Sequence, residues 1–133
     1  MFSHVFIGVH DFERTFAFYD PIMSALGLSL RFYDQSRPWA GWQMATDSRP
    51  LFLIGTPDNG QPHEVGNGQM VAFTANCREM VDQVYNLALA QGGVCEGKPD
   101  LRPHYHAHYY GAYFRDSEGN KICVVCHAQP DAE

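Results

Sequence analysis

Displacing the chain by 66 residues lays HVFIGVHDFERTFAFYDPIMSALGLSL (4–30) on MVAFTANCREMVDQVYNLALAQGGVCE (70–96) without a gap. Val5 meets Val71, Glu13 meets Glu79, Tyr19 meets Tyr85 and Gly27 meets Gly93. The identities are few, and the hydrophobic pattern carries the match. Both copies read strand, polar junction, amphipathic helix, glycine, strand. A repeat of this length restricts the chain to two copies of one folding unit.

Each copy has a physical cause. HVFIGV and MVAFTA are short β-prone runs, apolar on both faces as covered strands are. Asp11 and Asn76 are predicted to cap the helices that follow, by accepting hydrogen bonds from free backbone amides. Phe12, Phe16, Tyr19, Met23 and Leu26 recur at helical spacing, as do Met80, Val84, Leu87 and Gln91, with Val81 and Ala88 widening the stripe. Gly27 and Gly92-Gly93 supply the left-handed stops.

Three strand-like stretches follow each helix: Leu28–Tyr33, Trp39–Ala45 and Leu51–Ile54, then Val94–Glu96, Tyr110–Arg115 and Ile122–His127. DSEGN (116–120) is the clearest turn. The expected fold is α+β, one domain of two β-α-β-β-β modules forming a curved mixed sheet with helices outside. Module one spans 1–55, a Gly/Pro/Asn-rich linker 56–68, and module two 69–128. The last strands match at an offset of 71, pairing Leu51 with Ile122 and Phe52 with Cys123. The second half therefore carries five extra residues between 97 and 120, where RPHYHAHYYGAY (102–113) lies. Insertions on repeats fall in loops on a binding face.

Charge and composition exclude several partners. The formal net charge is −6 and no Lys/Arg cluster tracks a phosphate backbone, so nucleic acid is not expected. No apolar run approaches the ~18 residues a membrane span needs. MFSHVFIGVH shows no secretion signal, so the four cysteines are expected as reduced thiols in the cytoplasm. Cys123 and Cys126 stand three apart on a strand and point to opposite faces, which reads as two small buried residues rather than a chelating pair. Aromatics at 14% favour a cavity or a substantial interface.

Two β-α-β-β-β modules, the opening HVFIGVHDFERTFAFYD and the late RDSEGNKICVV resemble the vicinal oxygen chelate superfamily. That group includes glyoxalase I, extradiol dioxygenases, fosfomycin-resistance enzymes, methylmalonyl-CoA epimerase and bleomycin-binding proteins. The resemblance implies a cup built from both modules, with a divalent metal held by His, Gln or Glu on the first and last strands of each. Transferred position by position, the ligand sites fall on His4, Phe52, Met70 and Cys123. Three of these four are substituted by residues that suit a hard divalent ion poorly. Alternation places His4, Phe6 and Gly8 on one face, Met70, Ala72 and Thr74 on another, and Cys123, Val125 and His127 on a third. Three outcomes follow from the resemblance: a partly apolar pocket without the family metal, a metal held by His4 with loop histidines or water, or a soft copper-like His/Cys/Met set. A homodimer is also implied.

His104, His106 and His108 stand at every second position among tyrosines. They read as a strained loop metal site, as a lid bringing imidazole and phenol into the pocket, or as solvated side chains on packed aromatics. His106 and Tyr109, with His4, are the chosen catalytic candidates. Phe6, Phe52, Met70, Cys123, Tyr110 and His104 are expected to line the pocket. His10 is expected at the surface and His63 solvated in the linker. Trp39 and Trp42 should fall on opposite faces, and Arg31 and Arg37 in solvent. The expected function is binding of a small organic molecule in the cup. The alternative is a metal-dependent glyoxalase-like lyase, isomerase or dioxygenase using His4 and the loop residues.

Overall fold

In the computed structural model, which describes residues 1–130, each half builds the same unit. The first contains β1 (His4–Gly8), α1 (Phe12–Ala25), β2 (Leu28–Asp34), β3 (Trp39–Met44) and β4 (Leu51–Gly55). The second contains β5 (Val71–Thr74), α2 (Arg78–Ala90), β6 (Val94–Leu101), β7 (Tyr110–Arg115) and β8 (Lys121–Cys126). The sheets run β1-β4-β3-β2 and β5-β8-β7-β6, with the first and last strands of each unit parallel and the other pairs antiparallel. The chain divides between Gly66 and Asn67 into two compact units, so residues 56–66 of the expected linker belong to the first.

Each helix packs its apolar stripe on one face of its own sheet. In the first unit Phe18, Tyr19, Ile22 and Met23 of α1 are buried. Tyr19 meets Phe52 edge-on at 5.1 Å, and Phe16 stacks on Trp42 at 5.5 Å. In the second, Val81, Val84, Tyr85 and Ala88 of α2 are buried, as are Phe114, Ile122 and Val124 of the sheet. Each large side chain so covered contributes about 1.5–3 kcal/mol. Asp11 caps α1 as expected, accepting from the Arg14 amide. The second cap differs: Cys77, not Asn76, occupies the position, and its side chain makes no capping bond. Gly27 (φ 76°) and Gly92 (φ 94°) take the left-handed conformation after the helices.

Two further differences bear on function. β6 continues through Pro99 to Leu101, its register slipping between Cys95 and Gly97 and again between Gly97 and Asp100. Part of the insertion is therefore absorbed as bulges, and the histidine-tyrosine loop is shortened to the stretch between β6 and β7. The parallel registers also pair Val5 with Phe52 and Val71 with Ile122. Because Val5 and Val71 are equivalent, Phe52 corresponds to Ile122 and Leu53 to Cys123. The offset is one residue shorter than the expected 71.

Candidate functional site

A one-residue slip reverses which face a side chain occupies. Phe52 shares the side of Val5 and packs on Tyr19, under α1. It is not a residue of the opposite face of the sheet, the one turned away from the helix and called inner below; Leu53, paired with Phe6 and Gly41, is. Gly41 leaves room there: a Cβ would lie 2.5 Å from Leu53 Cδ2 and 2.7 Å from Phe32 Cε1. Phe6 is 45% exposed, and His4, also exposed, hydrogen-bonds Ser3 Oγ at 2.9 Å. Trp42 is core, while Trp39 lies on the other side with Phe32 at 4.4 Å; Arg31 and Arg37 are exposed, as expected, with the Arg37 guanidinium over the Trp39 ring at 3.8 Å.

His63 is also placed differently from the expectation of a solvated linker residue. Its ring lies on Gly8, where a Cβ would stand 2.6 Å from Nδ1, and its Nε2 is covered without a hydrogen-bond partner. Phe6, Gly8, Pro57, Gln61 and His63 help line a cleft of about 540 Å³ in the first unit. His10 is exposed, as expected, beside a separate cleft of about 380 Å³ at the start of α1.

The second unit gathers more chemistry. The ladder aligns Ala72, Cys123, Tyr113 and Gly97 across β5, β8, β7 and β6. The loop then returns Tyr109 onto this row. Its ring lies against Gly111, where a Cβ would be 2.9 Å from Cε1. Its hydroxyl is 2.9 Å from the Tyr113 hydroxyl and 3.6 Å from Cys123 Sγ. His106 meets Tyr109 edge-on at 5.7 Å, and His127 does so at 5.4 Å. His106 Nδ1 accepts from the His108 amide at 3.1 Å. In the neutral ring the proton is therefore on Nε2, which donates to His127 Nδ1 at 2.9 Å.

Burial raises the Tyr109 hydroxyl far above the usual phenol range, reinforced by its bonds to Tyr113 and Cys123. Burial likewise pushes up Tyr113 and the Cys123 thiol. These groups stay protonated at neutral pH: the half-buried Tyr109 and Tyr113 hydroxyls can hydrogen-bond a polar molecule, the Cys123 thiol is buried behind them, and none is an activated nucleophile.

Of the residues expected to form a site, His106, Tyr109 and Cys123 are brought together. Tyr110 is not with them. It faces α2, where its hydroxyl donates to Asp82 at 2.7 Å and Arg78 lies over its ring at 5.4 Å. Burial and Asp82 hold its phenol up at about 12. His104 is exposed, its ring tilted against that of Tyr105 at 4.2 Å. Met70 is 46% exposed just before β5. Tyr113 and His127 join the cluster without having been selected from the sequence; alternation with Cys123 had signalled His127.

Taken one position at a time, the residues standing where the resemblance implies ligands do not suit a hard divalent ion. His4 is an imidazole, Leu53 an alkyl group, Met70 a thioether and Cys123 a thiol kept protonated by burial. Among the described residues no three His, Cys, Asp or Glu side chains gather closely enough to hold a metal ion.

The family model described as Glyoxalase/Bleomycin resistance protein/Dioxygenase superfamily matches residues 1–124. A solved glyoxalase/bleomycin resistance protein from Albidiferax ferrireducens T118 is similar at 37% identity and TM-score 0.84, over 95% of this chain and 98% of that one. A putative glyoxalase from Bacillus halodurans shares the fold at 23% identity and TM-score 0.72, over 95% of each chain. A lactoylglutathione lyase from Agrobacterium tumefaciens does so at 20% and 0.62, over 95% of this chain and 92% of that one. No curated protein matches. With its repeated β-α-β-β-β unit and a match over most of its length, the chain belongs to the glyoxalase/bleomycin resistance protein/dioxygenase superfamily.

Proposed function

We propose that the protein binds a small organic molecule against the inner face of its second module, without the divalent metal of its family. The observation that carries this reading is the Tyr109–Tyr113–Cys123 cluster. Two neutral hydroxyls meet at 2.9 Å, with the buried Cys123 thiol 3.6 Å behind Tyr109, on a face bordered by aromatic rings. Such a surface combines ring area for stacking with a few fixed polar atoms for orientation, as ligand sites do. In the first module Phe6 and Leu53 share a face, and the cleft beside Phe6 is lined by polar Asn59, Gln61, His63 and Glu64 as well as by prolines.

The test is a screen of small organic molecules against protein stripped with a chelator, read by NMR of ring-labelled tyrosine. Shifts at Tyr109 and Tyr113, lost in Tyr109→Phe, support the reading. Shifts confined to other tyrosines contradict it.

A catalytic reading is favoured by one observation, the imidazole pair. His106 offers an Nε2 proton to a second imidazole that can take it up, which is the basis of general acid–base transfer. Turnover of the methylglyoxal–glutathione adduct that disappears in His106→Ala would establish it.

The remaining proposals concern assembly and compartment. Exposed Phe6, Leu30, Met44 and Met70 supply apolar area for a homodimer, which sedimentation would detect. Four free cysteines suit a reducing cytoplasm. No helix of the described residues is long and apolar enough to cross a membrane.

A further inference from the structure

Arg102 and Lys121 converge on one ring. The Arg102 guanidinium carbon lies 5.5 Å from the centroid of Tyr113, and Lys121 Nζ lies 5.9 Å from it. The ladder explains the meeting: Tyr113 pairs with Gly97 on β6 and with Cys123 on β8, two residues beyond Lys121. Gly97 makes the space. A Cβ there would stand 3.1 Å from Arg102 Nη2 and 3.1 Å from Tyr113 Cδ2. The guanidinium is anchored rather than loose, because Nη2 donates to the Lys98 carbonyl and, at 3.5 Å, to that of Gly111. Its Nε is covered and has no hydrogen-bond partner.

The charge here is unbalanced. Among the described residues the ion pair on this sheet joins Arg115 to Glu96, and neither Arg102 nor Lys121 reaches a carboxylate at salt-bridge distance. Glu96 also feels Lys121, but its hydrogen bond goes to Arg115. Tyr109, Tyr113 and Cys123 supply no countercharge, since burial keeps all three protonated. Two cations thus flank neutral O–H and S–H groups in a chain whose net charge is −6.

We infer that Arg102 and Lys121 form a subsite for the oxyanion end, a carboxylate or a phosphonate, of a small organic ligand whose remainder lies on Tyr113 and Tyr109. The planar fork of Arg102 suits two oxygens at once, and Lys121 adds a compact charge. The inference rests on the reading that the inner face of module two is the binding face, and it names the ligand class for that face.

Titration of chelator-stripped protein with phenylacetate, phenylphosphonate and neutral 2-phenylethanol tests it, with tyrosine-ring NMR as the readout. Both anions shift Tyr113, and added salt weakens them. Arg102→Ala weakens them about tenfold or more, and Arg102→Lys less. Lys121→Gln, at a half-exposed strand end, also weakens them and keeps the test open if Arg102→Ala fails to fold. The response to 2-phenylethanol is the same in every variant. Anions that bind no better than 2-phenylethanol, or that ignore both substitutions, overturn the subsite and leave small-molecule binding standing. Failure of every compound to reach Tyr109 and Tyr113 removes both.

Discussion

His106 and His127, 21 residues apart in the chain, meet through Nε2 and Nδ1 at 2.9 Å. Their rings stack at 5.1 Å, and the His108 amide closes on the other nitrogen of His106. The contact ties the inserted loop to the end of β8. His127→Ala is expected to speed hydrogen exchange at the His108 amide and to leave amides in the middle of α2 unchanged. Nitrogen shifts of His106 should report the Nε2-protonated tautomer. An unchanged His108 amide would show that the pair does not hold the loop.

Thiol reactivity should divide the cysteines by burial. Cys77 and Cys95 are exposed, whereas Cys123 and Cys126 are buried. Desolvation raises the Cys123 thiol, so its thiolate is scarce at neutral pH. A disulfide reagent added to native protein is expected to label Cys77 and Cys95 quickly, and Cys123 and Cys126 only on unfolding. Peptide mapping of the labelled sites checks it.

Tyr110 gives a pH dependence with a definite sign. Its phenol is held above the ordinary 10.0, at about 12, so folding favours the protonated form. The stabilisation is complete below about pH 10 and disappears as pH rises through about 12. Tyr110→Phe, which leaves Asp82 without this donor, should cost about 1 kcal/mol at neutral pH. Denaturant midpoints of the two proteins should draw together near pH 12.

The corrected register can be read from stability. Phe52 packs on Tyr19 and Trp42, so Phe52→Ala should cost about 3–5 kcal/mol. His4 is exposed with Ser3 as its hydrogen-bond partner, and His4→Ala should stay within about 0.5 kcal/mol. Chemical denaturation distinguishes these outcomes. A small loss for Phe52→Ala would restore Phe52 to the inner face.

The repeat made the architecture legible, because hydrophobic spacing is local and both copies carry it. Its limits were also local. Gly97 and Pro99 read as the end of a strand, yet β6 bulges past them. Phe52 was assigned by a sequence offset that the parallel register of β1 and β4 shortens by one residue, and that residue reverses the face. His106 and Tyr109 were recognisable by residue type within an insertion. Tyr113, Arg102 and Lys121 were not, because their meeting depends on how β6, β7 and β8 pair, which residue spacing alone does not encode.

Ligand affinity measured with and without metal tests the central claim most directly. Phenylphosphonate is titrated into chelator-stripped protein, then into protein supplied with manganese, nickel or zinc, for the wild type and for His4→Ala. The account predicts one affinity throughout, with the shifts at Tyr109 and Tyr113. Binding that appears only when metal is supplied, and vanishes in His4→Ala, would contradict it.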